Sequence, residues 1–126
     1  MKKILIVIAN YYEDISSSLL KSAKSNLSSF SLKIIKVPGV FEIPVTISKN
    51  IKKYDGFIAL GCVIKGETPH FDFISSASTQ AIMKLSVDNK KPIGNGILTC
   101  LNMKQAKARG KKGKEAAKAV ISVLDQ

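Results

Sequence analysis

Residues 59–74 read ALGCVIKGETPHFDFI, an apolar run that ends in a polar turn containing glycine. The run Phe57–Val63 predicts a buried β-strand. The turn that follows carries His70, the only histidine in the 126-residue chain. In α/β proteins, ligands bind where the carboxyl end of a parallel strand gives way to a loop. This turn is therefore the first candidate for a functional site.

Strand and helix patterns alternate on both sides of this stretch. The predicted strands are Ile4–Ala9, Leu32–Val37, Phe57–Val63 and Ile93–Leu98. The predicted helices begin at Asp14 or Ser16, near Glu42 (ending at about Lys53), at Asp72, at Asn102 and at Gly113. This order predicts an α/β three-layer sandwich with flavodoxin-like topology, in which a four-stranded, mostly parallel sheet is flanked by helices on both faces. We expect residues 1–126 to form one domain, and we expect so small a sheet to oligomerise.

The composition is that of an ordinary globular chain with a strong excess of positive charge. Twenty Lys and Arg residues stand against 9 acidic ones, for a net charge of +11. Such a charge favours anionic partners, yet Arg109 is the only arginine and the lysines are spread over nearly every segment. Nucleic-acid binders usually gather arginine and aromatic side chains on one face. We therefore expect no nucleic-acid partner, and interpret most of the lysines as solvated helix surface.

The N-terminal stretch MKKILIVIAN has a short apolar part, and no small-residue cleavage site follows it. No apolar run approaches the ~20 residues of a membrane helix. We therefore expect a cytoplasmic protein without a membrane partner. Cys62 and Cys100 lack the spacing of a zinc site and are interpreted as buried, reduced thiols. No metal site is expected.

Three loops follow predicted parallel strands and should meet at one edge of the sheet. They are 10–12, 38–42 and 65–71, and they contain Tyr11, Phe41, Glu42 and His70. Exposed aromatic rings, a carboxylate and backbone donors suit a planar heterocycle that stacks on a ring and is bound at its polar edges. Taken alone, Phe41 is more often a core residue, and Glu42 more often a carboxylate stabilised at a helix N-terminus.

His70 and the residues before it are candidates for acid–base and anion-binding roles. Histidine exchanges protons near neutral pH, although a lone histidine is more often a hydrogen-bonded loop residue. Gly66, Glu67 and Thr68 precede a helix start, where free N–H groups favour anions, without forming a Walker or dinucleotide motif. Arg109 suits a planar, bidentate contact with an anion. Lys111, Lys112 and Lys114 are equally well explained as a solvated turn.

Four motifs together resemble the lumazine synthase family over nearly the whole chain. They are VPGVFEIP (37–44), ALGCVIKGETPHFDF (59–73), PIGNGILT (92–99) and KKGKEAA (111–117). The resemblance implies a cofactor-independent transferase that acts at the penultimate step of riboflavin biosynthesis. In that step 5-amino-6-(D-ribitylamino)uracil condenses with 3,4-dihydroxy-2-butanone 4-phosphate. The products are 6,7-dimethyl-8-ribityllumazine, phosphate and water.

The resemblance also implies roles for individual residues. His70 would be the catalytic, proton-transfer residue, and Gly66, Glu67 and Thr68 would bind the phosphate of the butanone. Arg109, from an adjacent subunit, would pair with that phosphate. The other substrate-binding residues implied are Tyr11, Val40, Phe41, Glu42, Cys62, Val63, Ile64, Asn95 and Lys112.

Departures from the family pattern bear on assembly and activity. Asn95 stands where a stacking Phe is usual, Asn10 where Arg is common, and Leu101 and Lys104 where acidic residues are common. The segment between Arg109 and Lys112 is shorter than usual, and the N-terminal extension of many relatives is missing. We expect a homopentamer with each active site between two subunits, rather than a sixty-subunit capsid. One alternative is a flavin- or lumazine-binding protein without catalysis, motivated by Asn95 and the shortened loop. The other is an RNA- or anion-binding module, motivated by the charge.

Overall fold

A computed structural model describes all residues, 1–126. Four β-strands form one parallel sheet in the order β2-β1-β3-β4. The strands are β1 (Lys3–Ala9), β2 (Ser31–Val37), β3 (Gly56–Ile64) and β4 (Ile93–Cys100). The helices are α1 (Glu13–Lys24), α2 (Ile43–Lys49), α3 (His70–Asn89), α4 (Met103–Lys107) and α5 (Lys112–Leu124), and a 3₁₀ turn at Val40–Glu42 leads into α2. The predicted three-layer α/β sandwich is confirmed.

The sheet is covered on both faces, but unequally. Helices α1 and α5 pack on one face over a core of 16 buried residues, whereas the α2 and α3 side has 11. Helix α3 contributes only Ser78 and Ile82 as buried residues along its length of 20. Its exposed face includes Phe73, Met83 and Val87. One helical layer therefore leaves apolar surface uncovered. No helix of the chain is long and apolar enough to cross a membrane.

The central strands are buried because they are covered from both sides. In β3 every residue from Gly56 to Cys62 is buried, as the continuous apolar run predicts. In β4, glycine allows α5 to approach closely, since a Cβ atom on Gly94 would collide with the carbonyl oxygen of Ala116. The short distance between α5 and the sheet thus requires glycine at position 94.

Three helix boundaries differ from those predicted. Helix α1 begins before Asp14, and the Ser16 hydroxyl donates to the carbonyl of Ala9 instead of capping the helix. Helix α3 begins at His70 without a side-chain cap, so the predicted cap at Asp72 is wrong. Helix α2 ends at Lys49 and not near Lys53.

Candidate active site

A cleft of about 560 Å³ opens at the carboxyl ends of β1 and β3. These strands are neighbours in the sheet, and the chain leaves them toward opposite edges, which is the topological switch point where α/β proteins bind ligands. Predicted site residues that line the cleft are Tyr11, Val40, Phe41, Glu42, Cys62, Val63, Ile64 and His70. The three strand-end loops therefore meet as the sequence predicts.

Aromatic rings form an exposed platform in this cleft. Tyr11 is 75% exposed and Phe41 is 66% exposed. Tyr11 packs edge-to-face on Tyr12, with ring centroids 4.9 Å apart. Because Phe41 is not part of the core, the more common interpretation of an isolated Phe does not hold here. Exposed rings beside a concave surface are suited to stacking on a flat ligand.

The end of β3 supplies the floor of the cleft. Cys62 is buried, and Val63 and Ile64 are half-buried. Burial raises the pKa of the Cys62 thiol to about 12, and the nearby Cys100 thiol adds to the shift. Both cysteines are free thiols, as the sequence predicts. Cys62 therefore lines the cleft as a neutral group, suited to packing and not to nucleophilic attack.

Alkylation of Cys62 by iodoacetamide at pH 8 is expected to be about a thousandfold slower in the folded protein than in urea. The pKa lies at about 12 in the folded chain against 9.0 ordinarily, so the reactive thiolate is about 10³ times rarer. Raising the pH from 8 to 10 should speed the folded-state reaction about tenfold per unit. Peptide mass spectrometry distinguishes Cys62 from Cys100. Equal alkylation rates in the folded protein and in urea would contradict a raised pKa of the Cys62 thiol.

His70 is the first residue of α3 and its side chain is exposed. Its backbone N–H donates to the Thr68 hydroxyl at 3.3 Å. The Thr68 hydroxyl thus closes the turn that precedes α3. The structure contains no group of three His, Cys, Asp or Glu side chains arranged to hold a metal ion.

Gly66, Glu67 and Thr68 lie beside the cleft, in the exposed loop before α3. Their backbone N–H groups donate to no carbonyl. A Cβ atom on Gly66 would meet nothing within 4 Å, so the space next to the loop is open. Unpaired N–H groups at the beginning of a 20-residue helix favour an anion. The loop can therefore bind a phosphate beside the imidazole of His70.

A second cleft, of about 680 Å³, lies along the open edge of β4. We call it the basic cleft; its charged lining residues are Arg109, Lys111, Lys112, Lys114, Lys118 and Glu115. None of these groups forms an ion pair, since the one salt bridge of the chain joins Lys84 to Asp88. Five unpaired cations facing one carboxylate give this cleft a positive potential that attracts anions.

Asn95 also lines the basic cleft. Its side-chain oxygen accepts a hydrogen bond from the backbone N–H of Ile97 at 3.1 Å. The Asn95 side chain is therefore bonded to the backbone of its own strand, β4. It provides no ring on which a ligand could stack. Asn95, Arg109 and Lys112 all line the basic cleft, which shares no lining residue with the cleft that contains His70.

Several lining residues were not singled out from the sequence. Tyr12, Gly39 and Ile74 line the first cleft. In the basic cleft, Lys114 and Lys118 were missed as binding candidates. Their spacing of four residues, one turn of helix, was the available signal, because it places both on one face of α5.

The parallel sheet, with a cleft at its switch point, defines a doubly wound α/β protein whose candidate small-molecule site lies at the carboxyl edge. Comparison with known proteins gives the family. The sequence profile described as 6,7-dimethyl-8-ribityllumazine synthase matches residues 1–126. The chain belongs to this family.

Individual relatives agree with the family profile. The chain is 46% identical to 6,7-dimethyl-8-ribityllumazine synthase of Bartonella bacilliformis, over 96% of this chain and 87% of that one. It is 43% identical to the same enzyme of Agrobacterium fabrum (97% and 92% covered). It is 42% identical to that of Rhodopseudomonas palustris strain BisA53 (95% and 82% covered). The chain is thus a transferase that acts at the condensation step of riboflavin biosynthesis.

Proposed function

We propose that the chain condenses 5-amino-6-(D-ribitylamino)uracil with 3,4-dihydroxy-2-butanone 4-phosphate at an active site shared by two copies of the chain. One observation carries this proposal. The predicted site residues are divided between two separate clefts, with His70, Phe41 and Glu42 in one and Arg109 and Lys112 in the other. If the basic cleft of one copy faces the His70 cleft of the next, all of them surround one pair of substrates.

The first cleft suits the ribitylaminouracil. The pyrimidine stacks on the exposed rings of Phe41 and Tyr11, while backbone groups of Cys62–Ile64 and the Glu42 carboxylate bind its polar edges and the ribityl chain. Stacking of this kind contributes about 0.5–1.5 kcal/mol beyond area burial. The cleft thus orients the amine toward the second substrate.

The loop before α3 suits the butanone phosphate. Its phosphate accepts hydrogen bonds from the N–H groups of Gly66, Glu67 and Thr68, and the partner copy's Arg109 pairs with it in bidentate fashion. As the amine attacks the ketone, protons must leave nitrogen and reach oxygen, and the imidazole of His70 lies beside both groups. Elimination of phosphate then needs its charge held by arginine and N–H donors. Holding both substrates together supplies much of the remaining acceleration.

We propose that the copies form a homopentamer. The exposed apolar face of α3 and a groove of about 460 Å³ lined by Phe41, Val45 and Ala77 leave surface for a second copy to cover. Contacts between different faces of identical subunits generate a closed ring when the rotation closes. The resemblance to lumazine synthases indicates five copies in that ring, and the short Arg109–Lys112 segment favours the pentamer over a capsid.

The proposal treats residues 1–126 as one catalytic domain, because a single sheet carries both helical layers. It requires no metal or cofactor, since proton transfer and charge stabilisation are supplied by side chains and backbone. The free thiols Cys62 and Cys100 support a cytoplasmic location. The unpaired cations are concentrated in one cleft. This arrangement favours binding of a small anionic substrate over binding of nucleic acid.

Mixing two impaired variants, with the butanone phosphate kept well below its wild-type KM, tests the shared site. His70→Ala should slow turnover at least about tenfold through loss of proton transfer, and Arg109→Ala should impair use of the phosphorylated substrate. When the two chains are unfolded together and reassembled in equal amounts, about a quarter of the shared sites contain both native residues. We expect about a quarter of wild-type lumazine formation, followed by product fluorescence.

A matched control mixes His70→Ala with Glu42→Ala. Both residues lie in one cleft of one copy, so no mixed site regains both, and activity should stay at the level of the single variants. Recovery in the control, or none in the first mixture, would contradict a site divided in this way. Wild-type protein that binds the ribitylaminouracil tightly but forms no lumazine above the spontaneous rate would be a binding protein instead.

A further inference from the structure

The turn that carries the cations of the basic cleft is held by one hydroxyl group from α1. The Ser22 Oγ donates to the carbonyl of Gly110 at 2.7 Å and accepts from the backbone N–H of Lys114 at 3.2 Å. These partners lie 88 and 92 positions away along the chain. A single half-buried serine therefore connects both ends of the turn to a different helix.

Helix α5 depends on this contact because it has no side-chain cap of its own. Lys111, at the N-cap position, has no acceptor in its side chain, and no side-chain cap bond is present. The first-turn N–H groups of a helix need acceptors from elsewhere. Ser22 supplies one to Lys114, as an N-cap residue would, but from another helix.

The same turn carries a concentration of like charge. Residues 109–114 include Arg109, Lys111, Lys112 and Lys114, and no ion pair offsets their repulsion. The backbone approaches α1 closely, since Cβ atoms on Gly110 and Gly113 would collide with Ser18 Oγ and with the Leu19 carbonyl. A fixed backbone here sets where the Arg109 guanidinium points.

We propose that Ser22 is a positioning residue for the phosphorylated substrate, acting through the turn 110–114 on Arg109 and Lys112. This rests on the proposed function, in which the basic cleft binds the phosphate of the butanone. Bidentate arginine–phosphate contacts require accurate placement, and a shift of about 1 Å in a positioning group can cost about a hundredfold in rate. The ribitylaminouracil binds in the other cleft and is unaffected by Ser22.

The test compares Ser22→Ala with Ser25→Ala. Ser25 directly follows α1 as its C-cap residue, and its hydroxyl donates only to nearby residues, Ser22 and Asn26. We expect Ser22→Ala to raise the KM for the butanone phosphate about tenfold and to leave the KM for the ribitylaminouracil within twofold. Ser25→Ala should change neither, and Ser22→Thr, which keeps the hydroxyl, should recover most of the affinity.

Amide hydrogen exchange provides a readout that does not depend on the reaction. Peptides covering 109–115 should exchange about tenfold faster in Ser22→Ala than in Ser25→Ala, because the Lys114 N–H loses its acceptor. Unchanged exchange and unchanged KM values would overturn the proposal. A raised KM in Arg109→Ala beside an unchanged KM in Ser22→Ala would overturn the positioning role alone. Unchanged KM in both variants would overturn the phosphate site, and the role of Ser22 with it.

Discussion

Arg109→Ala is expected to raise the KM for 3,4-dihydroxy-2-butanone 4-phosphate by about thirty- to a hundredfold. Hydrogen bonds to charged groups contribute about 1.5–3 kcal/mol, and arginine forms two parallel ones with a phosphate. The four lysines of the basic cleft remain in this variant, so general attraction of the anion persists and the loss reports on bidentate geometry. The KM for the ribitylaminouracil should change little, because that substrate binds in the other cleft.

Two further variants sharpen this experiment. Arg109→Lys keeps the charge but not the planar fork, and should raise the same KM by about tenfold. Lys107→Ala removes a cation from α4 that does not line the basic cleft, and should have no effect. Steady-state kinetics with each substrate varied in turn provide the measurement. If Arg109→Ala and Lys107→Ala behave alike, Arg109 does not bind the phosphate.

Gly113→Ala is expected to lower the free energy of unfolding by about 1–2 kcal/mol. Gly113 is buried in the first turn of α5, and an added Cβ atom would collide with the backbone carbonyl oxygen of Leu19 in α1. Forcing two packed helices apart costs about 1–3 kcal/mol or more. Alanine recovers about 1 kcal/mol through its higher helix propensity. The net loss of stability is the steric cost minus this gain.

Gly66→Ala is the matched control for stability. A Cβ atom there meets nothing within 4 Å, and no glycine of the chain has a positive φ. Its free energy of unfolding should stay within about 0.5 kcal/mol of wild type. Urea denaturation at one fixed protein concentration compares the variants, since oligomers gain stability with concentration. Equal midpoints for the two variants would show that α1 and α5 can separate without cost.

The order of the elements could be predicted from the sequence because it rests on local patterns. Continuous apolar runs such as Ile4–Ala9 and Phe57–Val63 mark strands buried on both faces. The helix starts were less predictable. Asp72 has the side chain of a cap, yet α3 begins two residues earlier, at His70, whose backbone N–H donates to the Thr68 hydroxyl. Several polar groups near a boundary can serve as caps, and packing selects among them.

The candidate site was predictable in part for the same reason. Parallel strands end at one edge, so Tyr11, Phe41 and His70 had to lie near one another once the sheet was parallel. That Phe41 would be exposed could not be derived from its residue type, because an isolated Phe is more often buried. Resemblance to a family, and not the spacing of residues, assigned Arg109 to a neighbouring subunit.

The sequence by itself determined the parallel α/β sandwich, the loop Gly66–His70 at its carboxyl edge and the family to which the chain belongs. The tertiary structure decided that Arg109 and Lys112 lie in a cleft separate from that of His70. It also decided that Ser22, in α1, holds the turn 110–114. The physical reason is the separation along the chain of the residues that interact. Strand and helix patterns reflect neighbours a few residues apart, whereas a contact across 88 positions exists only once helices α1 and α5 have packed on the same face of the sheet.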